Sequence, residues 1–433
     1  VGARIQRVTA REEFALRGNV RLQVTVVADD GSVGVSTPEV GVSTGRYEAE
    51  FILDGGERYE GMGVRKAAEN VNRVIGPALV GMDVSHQREI DALMVELDGT
   101  PNKSRLGANA IVGVSLAVLK AAAGSAGLPL YQYIGGPNAC LLPIPLVGGG
   151  SAGRYRDPGK DRWFKPSFHF VGHGAGSYSG AMYDCWRANR ELSRLAEQRY
   201  GHNVRQYSGL SSVFTSGLNL SGVLRDDREY LDMMAEAIVR CDLEDRVGLY
   251  YDAAAGCYYE REIDRYVGLF SEGEKTRDQL LRLYQEHVAA YPILSIEDPF
   301  HEEDFEGHAI ATRELGIEIV GDDLFTTNTQ RLQEGIAVGA ANSMVLKVTQ
   351  VGTVSEALEA AEACRLNGYN IHPCGSRGDL DSLGDFAVGL NAGQVRGCDQ
   401  NRMLAIEEEL GKAARWPGKA LFKGNRNQEN KRG

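Results

Sequence analysis

Four runs of strand character in the second half of the chain, RVGLYYD, YPILSIE, IEIVGD and NSMVLK, end on Asp252, Glu297, Asp322 and Lys347. One acidic residue at a strand end commonly just faces water. Three on successive strands imply more, because crowded carboxylates repel unless a cation sits between them. An oxygen-only set with no His or Cys suits Mg²⁺. A lysine beside such a cation loses its preference for the charged form and becomes a usable base. A base next to a metal that holds a carboxylate points to proton abstraction adjacent to that carboxylate, with the metal stabilising the charge that develops.

The four residues are 45, 25 and 25 residues apart, and the two shorter steps match one strand-helix unit. From about residue 240 onward strand and helix alternate, which predicts a parallel sheet. In a closed barrel the C-terminal strand ends all open into one mouth, where such folds build their chemistry. The expected fold class is therefore α/β, a modified TIM-type barrel. Ahead of it, NVRLQVTVVADDGSVGVST alternates in the strand manner, and GVRKAAENVNRVIGPALVG and SHQREIDALMVELDG read as amphipathic helices. These form a small α+β domain. The stretch NKSRLGANAIVGVSLAVLKAAAGSAG reads as a long helix, apolar on most sides and buried between layers. The domains are placed at 1–138 and 139–433, with GGGSAGRYRDPGKDRWFKPS as a loop.

Composition narrows the partners. The 433 residues carry 47 basic and 59 acidic side chains, a net charge of -12, without a basic and aromatic cluster to offset phosphate repulsion. Nucleic acid is not expected. Seven cysteines without CxxC pairs favour free thiols and a cytoplasmic setting. No membrane association is expected, since no apolar run is seen to approach the roughly 18 residues of a span and VGARIQRVTAREEF holds no signal-peptide core.

The segments VSTGRYEA, LDGTPNKSRLGANAIVGVSLAV, SIEDPF, IVGDDL, LKVTQVGTVSEA and IEEELG occur in an order that resembles the enolase family along nearly the whole chain. The resemblance implies an N-terminal α+β capping domain, a modified eight-stranded barrel, a homodimer or higher homo-oligomer, Mg²⁺, and a small phosphorylated carboxylate such as 2-phosphoglycerate or phosphoenolpyruvate. It assigns Asp252, Glu297 and Asp322 to the metal and Lys347 to the general base. Substrate contacts fall on Arg396, which stands where the family has a lysine, and on Ser43, Ser167, Ser211, Ser376 and Arg377.

The chain also departs from the family pattern. Val40 stands for a lid serine, no histidine lies between Ser151 and Ala152, Ser167 replaces a glutamate, and Leu210 and Ser211 replace an acidic pair. Gly375 and Ser376 take the place of a His-Arg pair, with Arg377 displaced by one. Loss of a general acid costs about 10²- to 10⁴-fold, so these departures predict an altered reaction. The leading expectation is a carboxyphosphonoenolpyruvate synthase-like enzyme of phosphonate biosynthesis, acting on a phosphonylated or phosphorylated carboxylate. Ser167 and Ser211 would lessen repulsion of extra substrate charge. The alternatives are an ordinary or slow phosphopyruvate hydratase, using groups such as His169, His173 or His372, and a non-catalytic binding protein. Retention of three carboxylates and Lys347 weighs against the last, since buried charges without a use are costly.

Overall fold

The N-terminal sheet consists of β1 (Ile5–Phe14), β2 (Val20–Ala28) and β3 (Val33–Ser36), all antiparallel, in the order β1-β2-β3. The computed structural model describes residues 2–15, 19–41, 45–151, 165–201, 218–220, 223–224, 226–375 and 377–424. Every second residue of β2 is buried, so Val20, Leu22, Val24 and Val26 form one apolar face. That face receives α2 (Ala108–Ser125), against which α1 (Gln87–Asp98) packs in turn.

Helix α2 explains its uniform apolarity by having two partners. Ile111, Val114, Ala117 and Val118 pack into the N-terminal core, whereas Val112, Leu116 and Leu119 meet Val354 and Phe386 of the barrel domain. The expectation that no run reaches the length of a membrane span is corrected here: α2 is long and apolar enough by length and composition, but it is buried within the fold.

Among the described residues the second body is built on eight main strands, β4 (Ile144–Ser151), β5 (Ser167–Gly172), β6 (Val247–Asp252), β7 (Ile293–Glu297), β8 (Glu318–Gly321), β9 (Ser343–Leu346), β10 (Asn370–Pro373) and β11 (Gln394–Arg396), with a short strand at Leu218–Asn219 paired to β4. Strands β6 to β10 run parallel, and β4 is parallel to β11. A bridge between Cys374 and Arg396 closes the barrel. Strand β5 alone runs antiparallel to both neighbours, β4 and β6, so its N-terminal end faces the mouth. Ser167 is paired with Asp252, and Asp252 with Glu297.

The glycines at 148–150, expected to open a loop, instead lie within β4. Gly149 has φ +71, and a Cβ there would sit 2.0 Å from the carbonyl oxygen of Phe168 on β5. Only glycine lets the two strands close at this register shift. Residues 152–164 of the expected loop lie outside the described residues.

Candidate active site

Glu297 is wholly buried at the end of β7; its carboxylate accepts from Arg396 Nη2 at 2.9 Å and makes ion-pair contact with Nη1 at 2.7 Å. The guanidinium fork thus touches both carboxylate oxygens. The Tyr250 hydroxyl also donates to Glu297, and the Arg396 guanidinium lies 5.3 Å from the centroid of the Tyr250 ring. Burial opposes ionisation of Glu297, but Arg396 and Lys165 outweigh it and bring its pKa down to about 2. Asp252 is held by Arg396 Nη1 at 3.4 Å and by the Lys165 ammonium, while its Oδ1 has no hydrogen-bond partner among the described residues.

Among the described residues, Glu297, Asp298 and Asp322 bring one carboxylate oxygen each within 4.8 Å of the others. Asp252, expected among them, lies one strand away with its two cations. Asp298 does different work from its neighbours. Its oxygens accept the backbone N–H groups of Asp322 at 3.0 Å, Asp323 at 2.8 Å and Leu324 at 3.4 Å, tying down the turn that presents Asp322. Burial, with Asp323, Asp322 and Glu297 close by, raises the Asp298 pKa well above the carboxylate range. Asp323 is pushed up to about 7 by burial and by Asp322 and Glu48.

Lys347 follows β9, and its Nζ donates to Asp322 Oδ2 at 2.5 Å. The other oxygen of Asp322 accepts from Gln350 Nε2 at 2.8 Å, and the Lys347 N–H donates to Thr327 Oγ1 at 2.9 Å. Without a cation in the mouth, burial works against the Lys347 ammonium, but Asp322 prevails and raises its pKa. Positive charge among the carboxylates is what would reverse the balance.

Arg377 also reaches the mouth, donating to Glu48 Oε1 at 2.5 Å, and Glu48 accepts as well from the Gly45 N–H at 2.8 Å and Gln350 Nε2 at 3.3 Å. Glu48 belongs to the N-terminal body, so the site is assembled from both domains. Ser167 is buried with Oγ 3.5 Å from His169 Nε2. Ser43, Ser211 and Ser376, together with Ala152 and Leu210, lie outside the described residues. His169 and His372 sit in β5 and β10 against the Tyr250 ring, at 5.9 and 5.3 Å, and burial holds both far below the ordinary histidine pKa. They are neutral packing groups beneath the mouth.

The charges show why a cation fits. The carboxylates Glu48, Asp252, Glu297, Asp298, Asp322 and Asp323 share this region with the cations Lys165, Lys347, Arg377 and Arg396. Among the described residues these groups leave an excess of two negative charges, and burial together with that crowding raises the pKa values of Asp298 and Asp323. A divalent ion with hard oxygen ligands matches both that excess and the donor set.

Sequence reasoning missed Lys165, Glu48, Asp298, Asp323, Gln350 and Tyr250. Asp298 and Asp323 directly follow chosen ligands in SIEDPF and IVGDDL, so adjacency was an available signal. Lys165 carried none, because it enters the site only through the reversed direction of β5.

The family model described as "Enolase, N-terminal domain" matches residues 5–134, and that described as "Enolase, C-terminal TIM barrel domain" matches residues 164–425. Among named relatives, the enolase of Thermococcus gammatolerans is 43% identical over 435 residues, 96% of this chain and 97% of the relative. The enolase of Pyrococcus furiosus is 43% identical over 432 residues with the same coverage, and that of Methanocaldococcus jannaschii 42% over 420, covering 94% and 96%. This overturns the expectation of a carboxyphosphonoenolpyruvate synthase-like enzyme. That expectation weighed departures at single loop and strand-end positions above the match of the whole chain. With the acidic mouth, Lys347 and both domains accounted for, the chain belongs to the enolase family, as an Mg²⁺-dependent lyase on a modified TIM barrel with an N-terminal cap.

Proposed function

We propose that this protein catalyses the ordinary enolase reaction, the reversible loss of water from 2-phosphoglycerate to give phosphoenolpyruvate. The observation that carries the reading is the buried juxtaposition of Lys347 with Asp322, beside Glu297 and its Arg396 fork. Lys347, as the free amine, takes the proton from the carbon next to the substrate carboxylate. The electron pair forms the new double bond as the hydroxyl leaves the neighbouring carbon. Arg396 meets the carboxylate end and Arg377 the phosphate end, with Ser43, Ser167, Ser211 and Ser376 kept as further candidates for substrate contact.

Glu297 and Asp322 are proposed as metal ligands with Asp252, whose Oδ1 has no hydrogen-bond partner among the described residues, rather than with Asp298, whose oxygens serve three backbone N–H groups. Bound there, Mg²⁺ supplies the positive charge that stabilises the ionised carboxylate of the reacting species. Lys165, which makes ion-pair contact with Asp252, adds positive charge on the side of the mouth opened by β5. We infer further that the chain works as a homodimer. Its seven free cysteines suit a reducing, cytoplasmic setting.

The test is Mg²⁺-dependent formation of phosphoenolpyruvate from 2-phosphoglycerate, followed by the ultraviolet absorbance of the enol. Lys347→Ala is expected to lower the rate at least about 10²-fold while the variant still folds and binds Mg²⁺. No product from the wild-type protein, or equal rates in the variant, would refute the assignment.

A further inference from the structure

The N-terminal body touches the mouth a second time, away from Glu48. Asp379, which follows the loop after β10, has φ +49 and points its carboxylate at the end of β3. It accepts from Ser36 Oγ at 3.0 Å, from the Thr37 N–H at 3.1 Å, and from Lys120 Nζ of α2 at 3.1 Å. Lys120 donates as well to the Val35 carbonyl at 2.8 Å and to Asp381 at 3.1 Å. The loop itself forms an antiparallel bridge between Gly378 and Pro38, in which the Glu39 N–H donates to the Arg377 carbonyl at 2.9 Å. Gly378 (φ +83) leaves no room for a side chain: a Cβ there would lie 2.2 Å from the Thr37 carbonyl oxygen.

The residues held by this joint face the chemistry. Arg377 meets Glu48, which shares Gln350 with Asp322, the partner of Lys347. A cavity of about 30 Å³ is walled by Lys347, Cys374, Arg377, Asp379 and Phe386, so the joint and the lysine border one space. None of Lys120, Ser36 or Asp379 contributes to the carboxylate cluster itself.

We propose that Lys120 and Asp379 form a positioning pair that clamps the loop after β10 to the N-terminal body and thereby sets Arg377 in place for the anionic end of the substrate. The substrate part of this proposal rests on the functional reading above. The clamp does not.

The experiment compares wild type with Lys120→Met and Lys120→Arg in the full chain. One readout is amide exchange by mass spectrometry of peptides covering Thr37 and Glu39, whose N–H groups bond to Asp379 and Arg377. Lys120→Met should speed this exchange at least about 10-fold, as loss of a local clamp does. Lys120→Arg should restore protection. The second readout is the KM for 2-phosphoglycerate, expected to rise about 10-fold in Lys120→Met with kcat changed less, because misplacement of a binding group acts through geometry. If Lys120→Met does not fold, Asp379→Asn removes the charge while keeping an acceptor for Ser36 and Thr37. Unchanged exchange overturns the clamp. Faster exchange with an unchanged KM overturns the positioning role. If wild type forms no phosphoenolpyruvate, the functional reading fails instead, and the exchange arm still decides the clamp.

Discussion

Replacing Glu297 with glutamine removes one negative charge from the centre of the mouth and keeps the side chain's size. The carboxylate is fully buried, meets the Arg396 fork at 2.7 and 2.9 Å, and has a pKa of about 2 against 4.5 for an ordinary glutamate. One pKa unit corresponds to about 1.4 kcal/mol, so the charged form gains about 3 kcal/mol from its surroundings. Glu297→Gln forfeits that gain and leaves the Arg396 charge less compensated in a buried place. In urea unfolding at pH 7 without added metal, the variant is expected to be less stable by about 3 kcal/mol. The difference should itself depend on pH. A carboxylate with a depressed folded pKa contributes stability that is fully present above the unfolded value near 4.5. That contribution disappears as pH falls through the folded value near 2. The gap between the two proteins should therefore close between those limits. Titration calorimetry supplies the second measurement, with Mg²⁺ affinity expected to fall at least about 10-fold as a charged oxygen ligand becomes neutral. Equal stability at pH 7 would refute the electrostatic reasoning, and equal Mg²⁺ affinity would remove Glu297 from the metal site.

Two further outcomes follow from buried groups outside the mouth. His173, His287 and His308 have folded pKa values lowered by burial to about 4, 3 and 4 from an unfolded value of 6.5, so the unfolded chain binds more protons in this window. The share of stability carried by these neutral histidines should therefore fall as pH drops below 6.5, with His308 alone costing about 3 kcal/mol by pH 4, while Asp298 and Asp323, with raised pKa values, work in the opposite sense. Relative to wild type, His308→Gln should lose less stability between pH 6.5 and 5, and an identical pH dependence of urea unfolding would contradict this. Gly149→Ala forces a Cβ to within 2.0 Å of the Phe168 carbonyl oxygen at φ +71, and should cost at least about 3 kcal/mol of unfolding free energy. A thermal midpoint equal to that of the wild type would show that β4 and β5 separate without penalty.

Much of the barrel could be read along the chain because its signals are local. Each parallel strand is a short apolar run, each connection a helical period, and the 25-residue steps from Glu297 to Asp322 to Lys347 set one unit against the next. Apolarity on every side of Ala108–Ser125 likewise declared a helix between two layers, and the structure shows it serving the N-terminal sheet and the barrel together. The reaction was misjudged for a reason also visible in particular residues. Val40, Ser167, Ser211 and Gly375 were compared with a family pattern one position at a time. Yet charge at the mouth is supplied by side chains from unrelated parts of the chain, such as Lys165, Glu48 and Arg377.

Strand order, periodicity and the presence of Asp252, Glu297, Asp322 and Lys347 at strand ends were determined by the sequence itself, because backbone geometry turns a two- or three-to-four-residue pattern directly into a face and an end. Which carboxylate meets which cation was decided only by the tertiary structure. Lys165 joins Asp252 because β5 runs backwards. Asp298 anchors the 322–324 turn through three backbone N–H groups. Glu48 reaches Arg377 across 329 residues. Electrostatic pairing depends on distance in space and on burial, and neither is a function of separation along the chain.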